Sequence, residues 1–179
     1  VFNDYQWPYC ARVTPLLKQV LEAYPDQVKV VHKNFPLRNH KYARKAAAAA
    51  LAADKQGKFS EMSEQLFKNA RTLNDKKVGE IVGQLELNQE QFQKDWKDTK
   101  TNSMIDKDMK DGIQAGVRGT PTIFVNGRRL RQRSMNGFRI LIEKELGKEK
   151  EGKNFLLIRE ILLPGHLKCR IQKKFLKDL

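Results

Sequence analysis

The stretch that decides the fold is residues 116–127, which read Gly-Val-Arg-Gly-Thr-Pro-Thr-Ile-Phe-Val-Asn-Gly. Its apolar and β-branched part, residues 122–125, predicts a strand. The Asn-Gly pair at 126–127 follows directly and is the strongest short signal for a hairpin turn. We therefore expect the basic residues 128–131 to return as a second strand that pairs with the first.

The beginning of the chain predicts a strand–helix–strand unit. Residues 1–6 suit a short strand, and Pro8 stands where a helix can open, because proline needs no N–H in the first turn. From 13 to 24 the apolar residues recur at the spacing of an amphipathic helix. The β-branched run 28–35 predicts a second strand, which Pro36 stops. Two strands joined by a helix are expected to lie parallel, as a βαβ unit.

The middle of the chain, about residues 40–116, predicts helices only. An alanine-rich run at 42–54 favours a helix and lets another backbone come close. Three more helical patterns follow, the last with Asn88 as a candidate cap and a polar break between 96 and 105. A closing helix after the hairpin is expected to end at Gly147. This order predicts an α/β fold in which an all-helical block is inserted between the halves of one sheet.

Composition sets limits on the class of protein. The chain has 179 residues, 40% of them apolar, and carries 35 Lys+Arg against 21 Asp+Glu, a formal charge of +14. This length fits one domain with an appendage, and the apolar fraction argues against wholesale disorder. No apolar run approaches the roughly 20 residues that span a bilayer, so we expect no transmembrane segment. Two cysteines are too few for a disulfide-stapled mini-protein or a thiolate zinc site. The positive charge favours acidic partners in general.

The last part of the chain, residues 148–179, differs from the rest. It begins with a charged linker at 148–153, continues with an apolar run at 155–163 and ends in a basic segment. We therefore divide the chain into a body at 1–147 and a basic amphipathic extension at 148–179. The extension is expected to dock on the body or on a partner.

Two short segments are candidates for chemistry, and they are informative together. Residues 7–10 read Trp-Pro-Tyr-Cys at the junction of the first strand and helix, and residues 119–122 read Gly-Thr-Pro-Thr before the hairpin. In a βαβ–ββα sheet both loops lie at the same edge. With this context, the chain resembles the DsbA-like branch of the thioredoxin superfamily, thiol–disulfide oxidoreductases, over residues 1–147. Supporting stretches are Asn34-Phe35-Pro36-Leu37, His40, Gln56-Gly57-Lys58-Phe59, Leu85-Glu86-Leu87 and Phe92.

The resemblance implies a thioredoxin-like fold and a set of site residues. The family carries a Cys-x-x-Cys pair at the start of the first helix, so Cys10 is the catalytic candidate. The resemblance also implies a cis bond before Pro121 that presents the backbone of Thr120 to an extended peptide or protein substrate. Pro8 and Tyr9 would line that site. A redox partner protein, no cofactor and a location outside the cytoplasm are further expectations from the family.

Position 7 departs from the family pattern, because Trp7 stands where the family has its attacking cysteine. Dithiol–disulfide exchange needs one thiolate to attack and a second sulfur to resolve the mixed disulfide, and an indole can do neither. One hypothesis is a redox-inactive relative that still binds peptides, in the manner of a chaperone or binding module. Another is a monothiol oxidoreductase that works through Cys10, with or without Cys169. The third is that the source gene encodes cysteine at position 7, so that the natural protein is an ordinary oxidoreductase. Because the second and third share this chemistry, the expected function is a thiol–disulfide oxidoreductase acting on protein or peptide thiols, with the redox-inactive binding module as the alternative.

The two cysteines are expected to differ in reactivity. Trp7 and the Pro121 loop should shield Cys10, and burial in apolar surroundings raises the pKa of a thiol more than a helix N-terminus lowers it. Cys169 lies between Lys168 and Arg170, which favour the thiolate. We therefore predict that Cys169 reacts faster and that the two cysteines are not bonded to each other.

The remaining candidates indicate no further chemistry. No spacing among His32, His40 and His166 suggests a metal site, so we expect none. A basic stripe on and after the hairpin is typical of an edge strand that is guarded by charge; it consists of Arg128, Arg129, Arg131 and Arg133. Nucleic-acid binding through this stripe is kept as a second alternative function, although no recognised motif supports it.

Overall fold

The sheet joins the first strand of the chain to the hairpin that follows the helical block. A computed structural model describes residues 1–151, except for the side chains of 148–151. Strand β1 (Phe2–Asn3) pairs in parallel with β2 (Lys33–Asn34), and β3 (Phe124–Val125) pairs antiparallel with β4 (Arg128–Arg129). An antiparallel bridge joins the two pairs, because the Phe2 and Thr122 backbones exchange hydrogen bonds of 2.8 and 3.1 Å. The predicted contact between the first strand and the strand before the hairpin is confirmed.

Helices fill the rest of the described chain. Two lie between β1 and β2: α1 (Pro8–Ala11) and α2 (Thr14–Ala23). Five lie between β2 and β3: α3 (Ala43–Asp54), α4 (Phe59–Lys68), α5 (Asp75–Gln84), α6 (Gln89–Lys97) and α7 (Thr99–Gln114). One follows the hairpin: α8 (Met135–Glu151). The α/β fold with an inserted helical block is therefore confirmed. No helix in residues 1–151 is long and apolar enough to cross a membrane.

Helix α3 is the centre of the helical block. Nine of its residues are buried, namely Ala43, the run Ala46–Ala50, Leu51, Ala52 and Ala53. Alanine side chains let neighbouring helices come close, and α4, α6 and α7 all pack against α3. The block is tied to the sheet by polar contacts as well, since Lys33 of β2 lies 3.0 Å from Asp108 and 2.7 Å from Asp111 of α7.

Three local predictions about turns and caps are confirmed. Asn126 and Gly127 have φ angles of 45° and 80°, the left-handed values that a two-residue hairpin turn requires. The Asn88 side chain caps α6 by accepting from the Gln91 amide at 2.8 Å. The polar break appears as the boundary between α6 and α7, where the Asp98 side chain caps the second helix.

Several predicted boundaries are wrong. The strand predicted for 28–35 contains only the two residues of β2, because β1 offers hydrogen bonds only to residues 31–35 of this segment. The return strand predicted for 128–131 likewise shrinks to β4. Helix α8 does not end at Gly147 but continues to Glu151, since one glycine costs a helix only about 1 kcal/mol and Lys148 to Glu151 are good helix formers. The first four residues of the predicted linker are therefore helical, and residues 152–179, with His166 and Cys169, lie outside the described residues.

Glycine at position 112 allows a close approach between α7 and the sheet. A Cβ at this position would lie 2.7 Å from Cδ2 of Phe35, whose ring packs edge-on against Phe2 in the core. We predict that Gly112→Ala lowers the free energy of unfolding by about 1–3 kcal/mol, because the packed ring must shift. Urea unfolding measures this. The matched control is Gly79→Ala on α5, where a Cβ meets nothing within 4 Å and alanine should stabilise the helix by about 0.5–1 kcal/mol. Equal effects of the two substitutions would contradict the packing argument.

Candidate functional site

Cys10 lies in the first turn of α1, and the local sequence explains why. Trp7 is the N-cap with extended backbone angles, and Pro8 occupies the first helical position, where its missing N–H costs nothing. The turn directs Cys10 into the core, where it is only 3% exposed. Its Sγ accepts a hydrogen bond from the Asp4 amide at 3.4 Å. Cys10 is a free cysteine in the described part of the chain. The predicted absence of a bond to Cys169 stays a prediction, because Cys169 lies outside the described residues.

The loop at 119–122 meets Cys10 from the opposite side. The backbone bonds between Phe2 and Thr122 fix the loop beside β1, and the Thr120–Pro121 peptide bond is cis. Within the loop, the Thr122 hydroxyl donates to the Gly119 carbonyl at 2.7 Å. The structure thus brings together the two segments that the sequence singled out, and Thr120 lies close enough to Cys10 to influence its thiol.

Burial makes the Cys10 thiol a weak acid. It raises the pKa of the thiol to about 11, against an ordinary value near 9. The Thr120 hydroxyl and the Asp4 amide oppose this increase, and the Arg133 guanidinium does so more weakly. At neutral pH the thiolate fraction is on the order of 10⁻⁴, because each unit between pH and pKa is a factor of ten. The predicted direction is confirmed: burial raises the pKa of Cys10 more than the neighbouring groups lower it.

Trp7 and its neighbours form an aromatic cluster on the rim of the site, which we define as Trp7, Tyr9 and His40. The Trp7 ring centroid lies 5.0 Å from that of Tyr9 and 5.3 Å from that of His40. Trp7 also packs against the core that contains Cys10, whereas Tyr9 is 52% exposed. The Arg12 guanidinium lies over the Tyr9 ring at 4.8 Å, in cation–π geometry. The cluster therefore packs on the core that contains Cys10 and exposes the Tyr9 ring.

A buried carboxylate holds the segments around Cys10 in place. Asp4 is 1% exposed. One of its oxygens accepts from the Gln6 amide at 2.7 Å, and the other accepts from the Leu37 amide and faces His40 Nδ1, both at 2.8 Å. These bonds tie the end of β1 to residues 37–40, which carry the histidine of the aromatic cluster.

Sequence reasoning did not select Asp4 or Arg133 for the site. Arg133 donates to the Pro121 carbonyl at 3.3 Å, whereas the sequence analysis placed it in the basic stripe. Within that stripe Arg128 pairs with Glu145 at 2.8 Å, as expected for a charged edge strand. For Asp4 the available signal was an acidic residue directly after an apolar strand and before the motif. In the described part of the chain, no group of three or more His, Cys, Asp or Glu side chains could hold a metal ion.

The match to a known family covers the whole body of the chain. A sequence model of the family described as thioredoxin matches residues 1–144. The chain belongs to the thioredoxin family. Its fold agrees with the DsbA-like members, in which helices are inserted into the sheet, and the resemblance inferred from the sequence is confirmed.

Solved structures and curated relatives of this thioredoxin-family chain differ in what they are called. A thioredoxin-like oxidoreductase from Silicibacter pomeroyi superposes with a TM-score of 0.72 at 25% identity, over 82% of this chain and 84% of that one. The thiol–disulfide exchange protein α-DsbA2 of Wolbachia pipientis gives 0.72 at 21% identity, over 80% and 78%. In sequence, the chain is 34% identical to the Na(+)/H(+) antiporter NhaA 3 of Salinispora tropica over 129 residues, 72% of this chain. The match spans only 20% of the antiporter's length, so it concerns a part of that protein.

The high pKa of Cys10 predicts slow, pH-dependent alkylation. We expect the rate with iodoacetamide to rise about tenfold for each pH unit between 7 and 10, because only the thiolate reacts. The measurement is timed labelling with peptide mapping, which also reports Cys169 as the predicted faster site. Labelling in 8 M urea is the control, since the unfolded thiol regains an ordinary pKa. A Cys10 rate that levels off below pH 9 would contradict the prediction.

Proposed function

We propose that this thioredoxin-family chain binds extended polypeptide segments at the Thr120–Pro121 loop and the aromatic cluster, and does not itself catalyse thiol–disulfide exchange. The observation that carries the proposal is the pairing of a buried Cys10, with a pKa of about 11, with Trp7 at the position of the attacking cysteine. The family resemblance makes thiol–disulfide exchange the expected chemistry. This chain differs because Trp7 replaces the cysteine that starts that reaction.

The absence of a redox step follows from the thiol. The mixed-disulfide mechanism starts with an exposed thiolate, whereas Cys10 is covered and protonated at neutral pH. It also needs a second sulfur, and residues 1–151 contain no cysteine besides Cys10. Cys10 is therefore proposed to act as a core residue under the site.

Polypeptide binding is supported by main-chain groups at the loop. The amide and carbonyl of Thr120 have no hydrogen-bond partner among residues 1–151, whereas the neighbouring Thr122 uses both its groups on Phe2. Free main-chain groups beside a sheet are what an extended peptide pairs with. Tyr9, half exposed two residues after Trp7, supplies apolar contact next to them.

A working oxidoreductase is the alternative. The activities named for the Silicibacter pomeroyi and Wolbachia pipientis proteins favour it. It works through Cys10 alone, through Cys10 with Cys169, or through a natural cysteine at position 7. The first two forms predict insulin reduction by the chain as it stands, whereas the third predicts it only for Trp7→Cys. The proposal predicts, for the chain as it stands, a rate no higher than the uncatalysed one.

Binding itself is tested with a reduced and carbamidomethylated, permanently unfolded polypeptide, followed by fluorescence anisotropy. We expect Tyr9→Ala to weaken binding by about fivefold or more, as for an aromatic contact in an interface. The matched control is Ile140→Ala on α8, which also removes an exposed apolar side chain (54% exposed) but lies on another element. No binding by the unaltered chain, or equal losses in the two variants, would refute the proposal.

A further inference from the structure

The segments around Cys10 carry exposed basic residues, and the acidic side chain that they contact, Asp4, is buried. Four segments meet there: residues 5–12, 36–42, 116–121 and 131–134. Their convergence rests on the Asp4 bonds, the Trp7–His40 contact and the Arg133–Pro121 bond. Their basic residues are Arg12, Arg38, Lys41, Arg118, Arg131 and Arg133, and none of the four segments contains Asp or Glu. We call these six side chains the basic rim.

The charge of the basic rim is not balanced within the described chain. All six side chains are exposed, and none forms an ion pair with a residue in 1–147, the range whose side chains the structure describes. Arg12 instead lies over Tyr9, and Arg133 donates to a carbonyl. Acidic side chains on the adjoining helices are already paired: Glu64 with Lys18 and Lys68, and Asp75 with Lys45. An acidic ligand would supply the anions that the rim lacks among these ion pairs.

We infer that the segment bound at this site is an acidic one, an extended polypeptide with aspartate or glutamate on both sides of the residues that meet Thr120. The inference rests on the proposed function and adds the substrate class to it. The basic residues come from four segments that meet near the loop, and one of them, Arg133, is bonded to the Pro121 carbonyl. A strand that pairs with the Thr120 backbone therefore lies among positively charged side chains. Complementary charge of this kind raises the association rate and selects among partners.

A polypeptide fits the site better than a nucleic acid. The free amide and carbonyl of Thr120 form a donor and acceptor pair that matches another polypeptide backbone. In the aromatic cluster only Tyr9 is exposed. Proteins that bind single-stranded nucleic acids stack successive bases on several aromatic side chains. Nucleic-acid binding is therefore an outcome of the test rather than the proposal.

The test uses three fluorescein-labelled peptides that share one uncharged centre and carry glutamate, glutamine or lysine on both flanks. At low salt we expect the glutamate peptide to bind about tenfold more tightly than the glutamine peptide, and the lysine peptide least. The advantage should shrink as salt approaches 0.5 M, because exposed charges are screened. In the double variant R118E/R133E the advantage of the glutamate peptide over the glutamine peptide should vanish, while loss of the Arg133–Pro121 bond should weaken the binding of both peptides to the same extent. The single variant Arg118→Glu, which leaves the bond to Pro121 intact, should remove part of the advantage.

The matched control is K29E/K144E, which makes the same change in net charge at the opposite end of the sheet. Lys29 lines a cavity there with Asn126 and Glu145, and Lys144 is exposed on α8. If this control lowers the affinity for the glutamate peptide as much as R118E/R133E does, net charge alone is responsible and the inference is wrong.

Equal binding of the glutamate and glutamine peptides overturns the inference but leaves the proposed function standing. Failure of all three peptides to bind overturns both. Displacement of the glutamate peptide by an equal concentration of single-stranded oligonucleotide would show a general anion site and overturn the polypeptide assignment.

Discussion

Trp7→Cys is expected to turn the chain into a catalyst of insulin reduction, with a rate at least on the order of 10²-fold above that of the unaltered chain. The new thiol stands at the N-cap of α1, at a partly exposed position three residues before Cys10. Its thiolate attacks one sulfur of a substrate disulfide and forms a mixed disulfide. Cys10 then attacks that bond, which releases the reduced substrate and leaves a disulfide in the chain. Dithiothreitol in the assay restores the dithiol.

Two further variants make this result specific. Tyr9→Cys adds one thiol that is also exposed but two residues away, and it should leave the rate near the uncatalysed level. Trp7→Cys combined with Cys10→Ser removes the resolving sulfur and should stall as a mixed disulfide, visible by mass. If the unaltered chain already reduces insulin as fast as Trp7→Cys does, Cys10 suffices and the redox-inactive proposal falls.

Asp4→Ala is expected to be the most destabilising single substitution at the site, with a loss of about 3–5 kcal/mol in the free energy of unfolding. The carboxylate has two backbone amides and His40 as partners, and the whole group is buried. Alanine leaves the amides of Gln6 and Leu37 without an acceptor and frees the segment that carries His40. Urea unfolding, followed by far-UV circular dichroism, measures the loss.

Asp4→Asn distinguishes the contribution of the hydrogen bonds to stability from that of the side-chain volume, because asparagine has nearly the same size as aspartate. The amide keeps one oxygen as an acceptor but turns an NH2 group toward a former donor, so we expect a loss between that of alanine and zero. Asp26→Ala, at an exposed position after α2, is the control and should change stability by less than about 0.5 kcal/mol. A loss below about 1 kcal/mol for Asp4→Ala would mean that the bonds contribute little to holding the loops.

Topology made the meeting of the two loops predictable, because both precede or follow strands at one edge of the sheet. The burial of Cys10 was also predictable, since its place in the motif puts it on the inner side of the first helical turn. The lengths of the strands could not be predicted. The β-branched residues at 28–32 favour an extended backbone, but they do not show whether a neighbouring strand is there to pair with it. The end of α8 was misjudged for a related reason: glycine can end a helix, but good helix formers after Gly147 carry it on.

The Asp4 and Arg133 contacts could not be predicted from local patterns. Asp4 meets His40 across 36 positions of sequence, and Arg133 meets Pro121 through a hairpin whose twist decides the distance. Such contacts depend on how whole segments pack, and no spacing rule describes them. The same holds for the contact between the Trp7 and His40 rings.

The alanine-rich helix α3 also restricts how this protein can change over time. Because α4, α6 and α7 all approach a helix whose buried face is almost entirely methyl groups, any larger side chain there would push a neighbouring helix outward. Residues 46–53 can therefore vary among alanine, glycine and serine at most positions, while the exposed faces of α5 and α6 can exchange polar residues. Related chains should consequently resemble one another more along α3 than in the loops around Cys10, where a change such as the tryptophan at position 7 alters the chemistry.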